Sequence, residues 1–131
     1  MHANGETIRQ GFDAFAAGDL EAVSRLLDDD IIWIHSGDAV LAGEYRGKDA
    51  VFGYFGKLLE LTSFTFRQEV HAILADDDHV VVMTDVAWDS PREFRGHDVF
   101  VWHVRDGKAT HCWAIPTDQA AADAALPGGS S

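Results

Sequence analysis

Apolar residues recur along this chain with two different periods. Up to about residue 62 most of the spacing is helical. Ile8, Phe12 and Phe15 stand at i, i+4 and i+7, which puts them on one helix face. Asn4 or Thr7 is the expected N-cap, with Gln10 three residues after Thr7 as in a capping box. Gly18 ends this helix. Asp19 then caps a short second one, whose apolar side is Leu20, Val23, Leu26 and Leu27. Asp28, Asp29 and Asp30 read as a solvated turn, residues 31–35 (IIWIH) as a short strand, and residues 36–47, with three glycines, as a loop. Residues 48–62 predict a third helix with a wide stripe of Val51, Tyr54, Phe55, Leu58 and Leu59.

From Phe64 onward the period drops to two. Residues 64–74 and 80–88 predict strands joined by a turn at Asp76, Asp77 and Asp78, and Ser90-Pro91 marks a loop. Residues 94–116 then alternate on both sides of Asp106-Gly107, a strong hairpin signal, because a tight primed turn needs positive φ. Both faces of that hairpin carry bulky apolar groups: Phe94, Phe100, Trp102 and Val104 on one parity, Val99, Val101, Trp113 and Ile115 on the other. A sheet wetted on one side would be polar on one parity. This one is expected to be covered twice, by its own helices and by a second copy of the chain. Thr117 is the expected cap of a last, Ala-rich helix ending before Pro127.

Helices lead and strands follow through short connections, the α+β order. The expected fold is a cone-shaped, curved antiparallel sheet wrapped by three helices, with the last helix near its mouth. Residues 1–126 are expected to form one domain and residues 127–131 a disordered tail. Ten Lys and Arg stand against 22 Asp and Glu, for a net charge of −12. That balance argues against nucleic acid and against an anionic membrane surface, both of which need cations. No apolar run reaches bilayer length, and the N-terminus shows no signal pattern. The expected location is the cytoplasm. The single Cys112 leaves no internal disulfide, and no metal motif, phosphate loop or nucleophile elbow is visible.

Several stretches resemble the nuclear transport factor 2-like superfamily, in particular its SnoaL-like branch. They are residues 17–20 (AGDL), 32–35 (IWIH), 42–51 (AGEYRGKDAV) and 101–108 (VWHVRDGK), together with Trp113. The resemblance spans about residues 4 to 125 and implies a cystatin-like α+β cone. It does not transfer one activity, since this superfamily hosts isomerases, cyclases, hydrolases, dehydratases and non-enzymes. The ketosteroid isomerase base position falls on His35, its oxyanion-hole acid near Phe100, and its tyrosine near Gly11 or Phe12. The His and Asp that SnoaL-like cyclases carry around the last-strand Trp correspond to Cys112 and Ala114 here.

The resemblance also implies that even positions of the last two strands face the pocket. His35 is then a candidate base, since imidazole titrates near neutral pH. Asp98, a lone carboxylate beside Phe100 and Trp102, is a candidate acid whose pKa desolvation would raise. A hydrogen-bonded His35–Asp98 dyad is one arrangement of the two. Trp33, Thr84, Trp88, Phe100, Trp102 and Cys112 are the candidate ligand contacts. Tyr45 and Tyr54 each offer a phenol, Tyr54 being expected in the helix–sheet core. Val99, Val101, His111 and Trp113 are the candidate dimer face, with His97 and His103 beside them. No cofactor and no metal are implied. Three readings stay open. One is an enzyme that moves a proton on an apolar carbonyl compound. Another is a non-catalytic protein binding a small apolar molecule, and the third is a structural dimerisation module.

Overall fold

The computed structural model describes residues 2–127. Helix α1 (Ala3–Ala16) and helix α2 (Leu20–Leu26) lead into strand β1 (Leu27–His35), strand β2 (Gly43–Arg46) and helix α3 (Lys48–Leu61). Strands β3 (Arg67–Ala75), β4 (His79–Trp88), β5 (Phe94–Arg105) and β6 (Lys108–Pro116) follow, and helix α4 (Gln119–Ala124) closes the chain. The α+β order expected from the sequence is observed with one strand added, β2 before α3. Among the described residues, no helix is long and apolar enough to cross a membrane.

The six strands make one sheet in the order β2-β1-β6-β5-β4-β3. Every neighbouring pair is antiparallel except β1 and β6, which run parallel. The sheet is therefore mixed, not wholly antiparallel. The first strand enters between β2 and the end of the β3–β6 meander, and a connection through α3 separates it from that meander. Asp106 and Gly107 both have positive φ, 52° and 75°, so the hairpin turn is of the primed kind that matches strand twist.

Burial along β4 alternates cleanly: Val80, Val82, Thr84 and Val86 are buried, whereas His79, Met83 and Asp85 are exposed. β5 and β6 are less polar on the outside. Val99, Val101, His103, His111 and Trp113 are all half-buried there. A register shift between His103 and Val104 places Ala109, not Thr110, opposite Val104. That bulge reverses the parity of the first residues after the turn, so Ala109 packs fully inside. On the concave face lies the core. Ile8 of α1, Val23 of α2, and Val51, Tyr54, Phe55 and Leu58 of α3 meet Ile31, Trp33, Val82, Phe100 and Trp102.

Several local boundaries differ from the sequence reading. His2, whose Nδ1 accepts the Asn4 N–H at 3.1 Å, caps α1 in place of Asn4 or Thr7. Asn4 instead donates to the carbonyls of Asp76 and Asp77, docking the helix start on the β3–β4 turn. Asp28, Asp29 and Asp30 lie within β1, not in a turn. Residues 43–46 form edge strand β2 inside the expected loop. Phe64, at φ 60° and 76 % exposed, precedes β3 and does not begin it. Asp118, not Thr117, caps α4 by accepting the Ala121 N–H. Pro127 is tied in, its carbonyl accepting the Val40 N–H at 2.8 Å, and the rest of the expected tail lies outside the described residues.

Candidate active site

The wrapped sheet leaves a cavity of about 100 Å³ between its concave face and the helices. Its walls are mainly rings. Phe12 of α1 meets Phe100 and Trp102 edge-on, with centroids 5.3 and 6.0 Å apart. Trp33 stands edge-on to Trp102 at 5.2 Å and to Phe55 at 5.0 Å. Trp88 is stacked between Phe66 and Phe94. Such offset and T-shaped contacts fix ring positions better than aliphatic packing does. Phe55 and Leu58 from α3, and Ala122 and Leu126 from the C-terminal segment, complete the lining.

Among the described residues, the titratable groups in the lining are His35, Tyr54 and Asp98. His35 ends β1, and strand alternation gives it the inward side shared with Ile31 and Trp33. Its Nδ1 lies 2.7 Å from the hydroxyl of Tyr54, which projects from α3. Tyr54 is buried, and desolvation raises its pKa far above the usual phenol value, so the hydroxyl stays protonated. The Trp33 indole N–H approaches that hydroxyl without reaching hydrogen-bond geometry. Burial also lowers the pKa of His35, and the charge of Asp123 on α4 partly opposes the effect. His35 is thus held as neutral imidazole at neutral pH.

Asp98 sits on β5 between Gly96 and Phe100, inside the cone. Among the described residues no donor reaches its carboxylate. Neither Arg46 nor Arg95 pairs with it; they bridge Glu44 and Glu93 instead. Desolvation raises its pKa from 3.8 to about 6, with the nearby His97 lowering it in part. Burial pushes both Asp98 and His35 toward their uncharged forms, as expected for groups facing an apolar hollow.

Of the candidates named from the sequence, Trp33, His35, Trp88, Asp98, Phe100 and Trp102 come together around the cavity. Thr84 and Cys112 do not line it. Thr84 is 1 % exposed and donates to the Asp98 carbonyl at 3.2 Å, bracing β4 against β5. Cys112 is fully buried in the wall, and desolvation raises its thiol pKa well above the usual value, which suits a packing role. His35 and Asp98 share the hollow, but the hydrogen bond of His35 goes to Tyr54 rather than to Asp98. The sequence offered Tyr54 as a phenol but expected it in the helix–sheet core, with no link to His35. Nineteen residues separate it from His35, and no local pattern links a strand end to a helix middle across that distance.

The outer face carries a second group of rings. His103 lies 4.9 Å from His79, 5.3 Å from His111 and 4.9 Å from Trp113, centroid to centroid. His97 is apart from them, with Nδ1 2.7 Å from Asp85. Among the described residues, no His, Cys, Asp and Glu cluster has metal-binding geometry.

Comparison with known proteins fits this architecture. Bal32a, from a soil-derived mobile gene cassette, superposes with a TM-score of 0.90 at 25% identity, covering 95% of this chain and 96% of that one. TerC, co-crystallised with polyporic acid, gives 0.79 at 22% identity over 88% of this chain and 92% of its own. A putative SnoaL-like polyketide cyclase from Jannaschia sp. CCS1 gives 0.79 at 18% identity, over 98% and 94%. Other structures of this shape are described as cystatin-like or nuclear transport factor 2-like. Among curated proteins none matches the chain. The family profile of the SnoaL-like domain matches residues 8–112, most of the chain, and the protein belongs to the SnoaL-like domain family.

Proposed function

We propose that this protein is a small enzyme that moves a proton next to the carbonyl of an apolar, cyclic or aromatic metabolite, in an isomerisation, cyclisation or dehydration. The observation that carries this reading is the pair of oppositely shifted groups in one apolar cavity. His35 is kept neutral, and so able to accept a proton. Asp98 keeps its proton up to about pH 6, and so can donate one. Burial that favours the uncharged form of each group lets one site hold a neutral base beside a protonated acid.

In the proposed step the carbonyl oxygen accepts a hydrogen bond from protonated Asp98. His35 takes the proton from the adjacent carbon. The C–H electron pair becomes the enol double bond, and the carbonyl oxygen gains the Asp98 proton. Where the substrate carries a β,γ double bond, the enol is a conjugated dienol; the imidazolium then gives its proton to the γ carbon, the double bond moves to the α,β position, the carbonyl re-forms and Asp98 recovers its proton, which completes an isomerisation and leaves the enzyme unchanged. Tyr54 holds the imidazole plane. Three buried indole N–H groups, those of Trp33, Trp88 and Trp102, have no acceptor among the described residues. The hollow is smaller than usual ligand pockets of roughly 300–1,000 Å³, which favours a compact ligand or one that projects from the mouth. TerC, of the same fold, was crystallised with polyporic acid, so a relative's version of this scaffold has been studied with a small organic acid.

A second reading, a protein that shelters an apolar ligand without turning it over, is favoured by Phe100 and Ala114 standing where relatives carry acids. Deuterium exchange separates the two. In D₂O, the native protein should speed α-proton exchange of a panel of cyclic ketones and diketones above the buffer rate. His35→Ala should return exchange to that rate while the fold is kept. Equal exchange by both forms would remove His35 as the base.

The half-buried outer face also supports a homodimer. Val99, Val101, His111 and Trp113 form a continuous patch there, extended by exposed Met83 and Ile115. Contiguous apolar surface of this kind usually marks an interface.

A further inference from the structure

The last helix carries a buried carboxylate that the proposed proton transfer does not use. Asp123 is 6 % exposed although it lies on a six-residue, Ala-rich helix. A chain of hydrogen bonds holds it there. Gln119 Nε2 donates to Asp123 Oδ1 at 3.0 Å and to the Ser36 carbonyl at 3.3 Å. Ser36 Oγ donates to Gln119 Oε1 at 2.6 Å, and the Ser36 N–H donates to the Ala114 carbonyl. Ser36 directly follows His35. Gly37, at φ 102°, lies so close to the Asp123 carboxylate and the Gln119 amide that a Cβ would run into both. Two further ties hold the segment: Arg92 Nη1 donates to the Ala124 carbonyl at 3.2 Å, and the Val40 N–H donates to Pro127. Ala122 and Leu126 on the same segment cover the cavity.

We propose that Asp123 is a positioning residue for His35, and that Gln119 and Ser36 tie α4 to the end of β1 so that the Asp123 carboxylate is held as a counter-charge for the imidazole. This rests on the reading of His35 as the base of the site. Two effects act on His35 in opposite senses. Burial disfavours its cation, while the Asp123 carboxylate favours that cation. The imidazolium formed after proton abstraction therefore has a counter-charge ready, and the neutral base is not left too weak to accept a proton. The other titratable groups facing His35 are Tyr54 from α3, Asp98 from β5 across the cavity, Cys112 from β6 and Tyr45 from β2, both beside Trp33. Tyr54 and Cys112 stay protonated near neutral pH, since burial raises both. The opposing negative charges are thus Asp98 above about pH 6 and Asp123.

NMR titration of the His35 ring tests this without any substrate. Asp123→Asn should move the His35 midpoint to lower pH, and Asp123→Glu, which keeps the charge, should restore it toward the native value. In the unmodified protein, the Asp123 carboxyl carbon should show a chemical-shift step at the His35 midpoint, a readout that does not depend on any variant folding. An unmoved midpoint in a folded Asp123→Asn protein, or no such step in the native one, overturns the proposal. Absence of α-proton exchange with a shifted midpoint would instead sink the catalytic reading and leave the coupling standing.

Discussion

Replacing Asp98 by Asn should make this protein more stable, and the gain should depend on pH in a defined way. The carboxyl's pKa rises from 3.8 to about 6 on folding because the cavity desolvates it. In the unfolded chain it ionises near its ordinary value of about 3.9. Between those two values the folded state binds more protons than the unfolded state, so stability falls as pH rises through about 4 to 6. A rise of roughly two pH units, at about 1.4 kcal/mol each, corresponds to a penalty of about 3 kcal/mol, fully present above pH 6. Asn resembles the protonated carboxyl in shape and carries no charge, so it removes the penalty. Urea unfolding of both forms from pH 3.5 to 8 is the assay. With a slope of about 1–3 kcal/mol/M, the midpoint of Asp98→Asn should exceed the native one by about 1–3 M urea at pH 7 and match it at pH 3.5. Equal midpoints at pH 7, or a loss of stability there, would refute the claim that Asp98 is a desolvated, unpaired acid.

Tyr54→Phe keeps the ring contacts with Trp33 and Phe55 but removes the hydroxyl 2.7 Å from His35 Nδ1. It should cost about 1–3 kcal/mol, because a partly buried imidazole nitrogen loses its partner; an unchanged thermal melt would show the bond contributes nothing. Trp113→Arg on the outer face should turn a dimer into a folded monomer, measured by light scattering after gel filtration, and a native protein that is already monomeric at micromolar concentration would contradict the proposed interface. His103 titrates below its ordinary value, through desolvation and its neighbours His79 and His111. A histidine whose folded pKa is depressed costs the folded state stability as pH falls below about 6.5. His103→Gln should therefore flatten the loss of stability between pH 6.5 and 5, and an unaltered pH dependence would show that the ring cluster does not matter to folding.

Much of the architecture was legible because burial is periodic. Ile8, Phe12 and Phe15 line the cavity as one helix face, and Val51, Tyr54, Phe55 and Leu58 cover the sheet as another. Asp106-Gly107 forms its turn because few other pairs tolerate positive φ at both positions. The misses have physical causes too. β2 is an edge strand whose Glu44 and Arg46 face solvent, so it leaves no hydrophobic alternation to read. Asp28, Asp29 and Asp30 extend β1, with Asp29 and Asp30 exposed to solvent and Asp28 half-buried. A bulge, which no pattern announced, decided that Ala109 faces inward. At the site, parity grouped the side chains by face and the family resemblance chose the inward face, which together bring His35, Asp98 and three Trp to one hollow. It could not show that His35 bonds Tyr54, because that depends on how α3 packs on β1. Asp123 had a weak signal, Gln119 standing four residues before it on a helix, a spacing that favours such a pair.

The pH profile of α-proton exchange bears most directly on the claim that one apolar hollow holds a neutral base beside a protonated acid. For a cyclic ketone that the protein exchanges in D₂O, the rate should be bell-shaped. It should rise as His35 loses its proton, below the ordinary 6.5, and fall above about 6 as Asp98 loses its own. Asp98→Asn should flatten the alkaline side. A rate that keeps climbing through neutral pH, or no exchange by the native protein with any carbonyl compound that binds the cavity, would contradict it.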